Sequence, residues 1–177
     1  MSDQESPSVP AGMSLATVWE TVADTVPDAP ALAHGDLVRT WSELEQRSAR
    51  IAAHLDAAGV GHDAKVACYL YNGPEYLEAT FAAFKVRAVP INVNYRYLEA
   101  ELQYLLDNAD AEAVVFDAEF VERLDHVRSS LPGVRVGLCV GSDAEHPLPE
   151  WAEDYEASIA AAVPMPRVDR SGDDLWF

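Results

Sequence analysis

Glycine, lysine and cysteine are all scarce in this chain of 177 residues, and each scarcity removes a class of function. The nine glycines do not cluster between a predicted strand and helix, as a phosphate-cradling loop requires, usually with a Lys. Gly59 and Gly61 give only a G-x-G, and it joins a helix to a strand, the reverse of the required order. Gly133, Gly137 and Gly141 recur every four residues in a stretch too short for a membrane dimerisation motif; they read as turns and close packing around one strand. Lysine occurs only at 65 and 85, the arginines are scattered, and 12 basic residues face 30 acidic ones, a net charge of −18. Such a field repels nucleic-acid phosphates and anionic lipid.

The two cysteines, Cys68 and Cys139, sit in apolar runs far from any C-x-x-C spacing and read as buried thiols in a reducing compartment. No charge-free run approaches the ~18 residues of a membrane span. The longest, Ser6 to Trp19, follows acidic residues and contains two prolines, so it does not read as a signal peptide. A cytoplasmic protein without a membrane span is expected, and homo-oligomerisation is left open.

What the chain does have is a 49% apolar content and a length that buries roughly 70% of the unfolded surface, enough for one core without staples. Eight of the eleven prolines lie before residue 31 or between 147 and 166, so the irregular parts are the ends. Residues 1–13 carry too little apolar surface to offset ordering entropy and are expected to be a disordered leader, with the domain proper running from 14 to 177.

A short helix is expected over 14–24. Ala31–Ala33 and Leu37–Thr40 read as a hairpin turning at Gly35. Thr40 and Glu43 have capping-box spacing before a helix whose apolar face is Leu44, Ser48, Ile51, Leu55 and Ala58, closed by Gly59. The apolar run Lys65–Tyr71 suits a strand covered on both faces, and Asn72 is placed to cap the next helix, with Leu77, Phe81 and Phe84 as its buried stripe. Strands at 88–93, 113–116 and 134–140 then alternate with helices at 98–108 and 119–129, and an acidic helix is expected over about 149–162. Alternation of this kind predicts an α/β fold with a largely parallel sheet, right-handed crossovers and helices on both faces.

Few residues suggest chemistry. His34, His54, His62, His126 and His146 lie apart, without helical metal-site spacing, and read as solvated surface residues. Asp173-Asp174 and Glu153-Asp154 have no neighbours that would tune a carboxyl into an acid, and Ser42 and Ser48 lack a nucleophile-elbow sequence. The candidate crevice residues are Asn92, Asn94, Tyr95, Arg96 and Tyr97, directly after a predicted strand, where parallel sheets bind ligands. The competing structural reading has Asn94 capping a helix, Tyr95 and Tyr97 closing the core and Arg96 paired with a carboxylate. Tyr71-Asn72-Gly73-Pro74 occupies the equivalent end of the preceding strand.

Taken in order, four segments resemble the N-terminal part of the adenylate-forming acyl-CoA synthetases, or AMP-binding enzymes. They are Thr40–Leu44 with Ala58–Gly61, Asn72–Tyr76 with Ala79–Lys85, Ala88–Tyr97, and Leu102–Ala111. The likeness runs over roughly 15–177, and the Asn92–Tyr97 run leans towards bacterial enzymes for fatty or steroid-side-chain acids. Val86-Arg87 departs from it, since many relatives have Ala-Gly there.

The resemblance implies a ligase joining a carboxylic acid to CoA through an acyl-adenylate, with ATP, Mg²⁺ and CoA serving the complete enzyme. It further implies that Asp173–Phe177 leads into a phosphate-holding loop beyond this chain, so that the partner of this piece is the remainder of its own polypeptide. No catalytic, cofactor or metal residue is then assignable within 1–177, and the chain alone is expected to be inactive. The rival expectation is a self-contained, non-enzymatic flavodoxin-like binding or interaction domain.

Overall fold

The computed structural model describes residues 14–174; the expected leader, 1–13, and the last three residues of the expected strand at 173–177 lie outside the described residues. Helix α1 (Leu15–Thr25) starts where the Ser14 hydroxyl accepts the Thr17 amide. Strands β1 (Pro30–His34) and β2 (Leu37–Thr40) form the antiparallel hairpin, with Gly35 at φ 57° in its turn. Helix α2 (Trp41–Ala57) opens on the anticipated capping box: Thr40 Oγ1 accepts the Glu43 amide, and the Glu43 carboxylate accepts the Thr40 amide at 2.8 Å.

Five strands make the main sheet: β3 (Lys65–Tyr69), β4 (Val89–Asn92), β5 (Ala111–Asp117), β6 (Val136–Val140) and the two-residue β7 (Glu153–Asp154). Their order is β4-β3-β5-β6-β7 and every pairing is parallel. Between them run α3 (Pro74–Lys85), α4 (Glu99–Asn108) and a 3₁₀ turn at Ala118–Phe120 leading into α5 (Val121–Arg128), and α6 (Tyr155–Ala161) follows β7.

Period-two alternation divides the core. Val66 and Cys68 of β3, with Val115 and Leu138, face α2, α3 and α6; Ala67 and Tyr69, with Val114 and Phe116, face α4 and α5. Helices therefore cover both faces, as expected. Each fully buried Leu, Ile, Val or Phe contributes about 1.5–3 kcal/mol of transfer free energy. A smaller cluster of Ala16, Leu44 and Phe81, with the Trp19 ring edge-on to Phe81 at 4.9 Å, fastens α1 to the layer.

Three expectations are corrected. Helix α3 starts at Pro74 with Gly73 as its N-cap; Asn72 does not cap it, because the fixed φ of Pro74 already suits the first helical turn. Its buried face is Ala79, Ala82 and Ala83, small enough for close approach to α2 and β3, with Phe81 buried towards α1, while Leu77 stays 39% exposed. The helix expected over about 149–162 is confined to α6: Trp151 lies over Gly137, leaving no room for a Cβ there, and Asp154 caps the shortened helix by accepting the Ala157 amide.

Both thiols are buried and free, and burial pushes Cys68 up to about 12 and Cys139 up to about 11, which makes them unreactive core residues.

Candidate functional site

The sheet changes direction at β3. The chain leaves β3 for β4 on one side and then crosses over it to β5 on the other, so the carboxyl ends of β3 and β5 form a topological switch point. Two loops meet there. The Tyr71 amide, just past β3, donates to Asp117 Oδ2 at the end of β5 (2.6 Å), and the Tyr71 hydroxyl lies 3.1 Å from Glu119. The crevice itself is filled by aromatic rings: Phe120 stacks on Tyr69 at 4.3 Å, Tyr71 is 5.1 Å from Phe120, and Tyr95 is 5.2 Å from Tyr71. What remains is a rim of side chains over a closed floor.

Arg123 of α5 holds this rim together. Its Nη1 donates to the Tyr69 hydroxyl (3.0 Å) and to the carbonyls of Tyr95 (3.0 Å) and Tyr97 (3.3 Å), while the Tyr69 hydroxyl donates to the Tyr97 carbonyl (2.8 Å). One guanidinium thus fixes the loop after β4 against the end of β3. Asp117 is raised from its ordinary 3.8, chiefly by burial and further by Glu75 and Glu119, against the lowering effect of the Tyr71 amide. Tyr71 is raised above 10.0, first by burial and then by Glu119, so it acts as a neutral donor.

The predicted residues fall on this rim with distinct roles. Asn94 does not cap α4; its Oδ1 accepts the Arg96 amide (3.0 Å) and closes a turn, while Leu98 takes the N-cap position and Glu101 accepts its amide. Tyr97 packs on the core beside Leu105, whereas Asn92, Asn94, Tyr95 and Arg96 are exposed. Arg96 has no carboxylate partner among the described residues; its guanidinium lies over the Tyr95 ring at 5.4 Å. Sequence reasoning missed Tyr69, Asp117, Glu119, Phe120 and Arg123. The Asp117-Ala118-Glu119 step at the end of an apolar strand was the available signal for the two carboxylates; nothing local marked Arg123.

Two cavities bear on the site. A cleft of about 430 Å³ adjoins the rim between the hairpin and α3, lined in part by His34, Asn72, Gly73 and Tyr76. A larger groove of about 690 Å³ between α2 and α6 is half lined by alanine, with His54 and Glu153 at 3.4 Å, and lies away from the switch point; convergent donors favour the rim over the roomier groove. Among the described residues no group of three or more His, Cys, Asp or Glu could hold a metal ion. Nor is any described helix long and apolar enough to cross a membrane.

The sequence profile of the AMP-binding enzyme family matches residues 19–177. The chain belongs to that family. It is 38% identical over 168 residues to a 3-oxocholest-4-en-26-oate–CoA ligase of Rhodococcus rhodochrous, covering 93% of this chain and 30% of that protein. To the medium-chain acyl-CoA ligase Mig of Mycobacterium avium it is 33% identical, covering 92% of this chain and 32% of the relative.

Among solved structures, the anthranilate CoA ligase AuaEII in complex with anthranoyl-AMP superposes with a TM-score of 0.86 at 17% identity, covering 95% of this chain and 32% of that one. A putative long-chain-fatty-acid CoA ligase from Rhodopseudomonas palustris gives 0.82 at 23% identity, over 92% and 40% of the two chains. These likenesses bear out the fold of an AMP-binding enzyme's N-terminal part, and the chain spans about a third of the length of the curated relatives it matches. The flavodoxin-like alternative gains nothing from them over the AMP-binding reading.

Proposed function

We propose that this AMP-binding chain is the N-terminal third of an ATP-dependent acid–thiol ligase. In the first step a carboxylate oxygen attacks the α-phosphorus of ATP, giving an acyl-adenylate and releasing pyrophosphate. In the second the CoA thiol adds to the acyl carbon and AMP leaves. The observation that carries this reading is the similarity, over more than nine-tenths of the chain, to relatives named as acyl- and steroid-acid CoA ligases. Those names favour a fatty or steroid-side-chain acid as substrate, and a cytoplasmic setting fits the use of ATP and CoA.

Both steps bring anions together, which demands preorganised cations and donors. The described residues contribute a scaffold and a rim; Mg²⁺ and the phosphate-holding groups belong to the remainder of the polypeptide. On the rim, Arg96 is a guanidinium without a carboxylate partner among the described residues and suits an anionic group of a substrate, with Tyr95 stacked beneath it and Arg123 fixing the loop behind.

The test is ATP–pyrophosphate exchange by the complete polypeptide that carries this chain, offered a medium-chain fatty acid and, separately, a 3-oxo steroid-side-chain acid. Exchange dependent on either acid, followed by acyl-CoA formation when CoA is added, is expected. No exchange with any carboxylic acid overturns the ligase reading.

A further inference from the structure

After α6 the chain runs as segment 162–174 without regular structure, yet it is tied down along its length. The Met165 amide donates to the Ala49 carbonyl of α2 (2.9 Å). Arg167 makes a two-point contact with Asp24 of α1 (2.6 and 2.8 Å). Arg170 donates to Glu20 of α1 (2.8 Å) and, through Nε and Nη2, to the carbonyl of Lys85, the last residue of α3 (3.3 and 3.1 Å). Asp174 finally accepts both arms of Arg87, immediately before β4 (2.7 and 3.0 Å). The segment is a strap carried across the helical layer from α6, beside β7 at one end of the sheet order, to β4 at the other.

The anchor at Arg170 is unusual in being buried. Its side chain is 2% exposed, Glu20 5% and Lys85 3%, and Lys85 Nζ bridges Glu20 and Glu45 at 2.7 Å each. Two cations and two carboxylates compose a formally neutral quartet. Desolvating ions is costly and is offset only when each is paired and hydrogen-bonded, so such a cluster fixes one arrangement sharply. Arg170 also meets a helix C-terminus, where the carbonyl lacks an intrahelical partner and the helix dipole favours positive charge.

We propose that Arg170 is a positioning residue: through the quartet it locks the strap and so sets where the polypeptide after Asp174 begins relative to β4. This rests on the ligase reading above, in which the phosphate-holding loop lies in that following polypeptide. Arg170 acts on ATP use through the strap, without touching substrate.

The test uses Arg170→Met and Arg170→Lys in the complete polypeptide, reading hydrogen exchange over 162–174 alongside the kinetics of ATP–pyrophosphate exchange. Arg170→Met is expected to speed exchange of the strap about tenfold or more while α4 and α5 keep their protection. It is also expected to lower kcat/KM for ATP by about tenfold with little change in KM for the acid, and Arg170→Lys recovers part of both losses. An unmoved strap in Arg170→Met, or a loosened strap with unaltered kcat/KM for ATP, overturns the proposal. Should Arg170→Met fail to fold, Asp174→Asn, which releases only the partly exposed end, is read against the same two outcomes. Absence of pyrophosphate exchange in the wild type refutes the ligase reading instead, and the hydrogen-exchange arm still decides whether Arg170 locks the strap.

Discussion

Arg87 stands at φ 64°, in the left-handed region where a Cβ costs about 1–2 kcal/mol and glycine costs nothing extra. This is the position where the resemblance leads one to expect Ala-Gly. The arginine is retained with one compensation: its guanidinium grips Asp174 with two hydrogen bonds. The side chain is about a third exposed, so the ion pair contributes no more than about 1 kcal/mol. Arg87→Gly loses the pair and relieves the strain, whereas Arg87→Ala loses the pair and keeps it. Arg87→Gly is therefore expected to exceed Arg87→Ala in stability by about 1 kcal/mol, as read from urea midpoints at constant m.

Between elements, buried charge decides more than the sequence suggested. Glu78 of α3 is fully buried, with one carboxylate oxygen 2.9 Å from Arg39 Nε and 2.8 Å from Arg47 Nε, and the other accepting the Tyr155 hydroxyl at 3.0 Å. It thereby joins β2, α2, α3 and α6. Glu78→Gln leaves two arginines facing a neutral amide and is expected to cost about 3–5 kcal/mol, while Tyr155→Phe, which removes one hydrogen bond, costs about 1 kcal/mol. Denaturant unfolding of the two variants checks the ratio. The strap responds to acid instead. The Arg87 guanidinium beside Asp174 and the Arg167 guanidinium beside Asp24 hold both carboxyls below 3.8. Depressed carboxyl values give stability that is present above the unfolded value and lost as pH falls through the folded one. Exchange protection of 162–174, after correction for intrinsic rates, is expected to hold from pH 7 to about pH 4 and fade below it, ahead of the sheet.

For the molecule as a whole, the charge of −18 coexists with paired interior cations, since both Lys85 and Arg170 are buried. Under the ligase reading the isolated chain holds a scaffold and a rim without the groups that neutralise ATP. The 177-residue chain with ATP, Mg²⁺ and a medium-chain fatty acid is accordingly expected to give no pyrophosphate exchange above a protein-free blank. Exchange by the chain alone would place catalytic groups within it and contradict the assignment of those groups to the remainder.

Local pattern was enough for most elements and for the family. The apolar run of β3, the Thr40–Glu43 capping box and Gly35 in its turn each act over a few residues, so they are legible wherever the chain goes. The rim was half legible: Asn92 to Tyr97 follow a strand and could be placed at its carboxyl end, but Arg123 and Tyr69 reach them only through strand order. That order is not written locally, because β4 and β5 flank β3 on opposite sides and nothing in their own sequences states which side each takes. The shortening of α6 was likewise decided by tertiary contact, at Trp151 laid over Gly137. Sequence by itself determined the strands and helices as far as β6, since those choices depend on side-chain period and caps, whereas β7 lies inside the span expected to be helix and forms only by pairing with β6. Only the tertiary structure decided which charges pair in the interior, since Glu20, Lys85 and Arg170 lie as much as 150 residues apart and become partners only once the strap has crossed the helices.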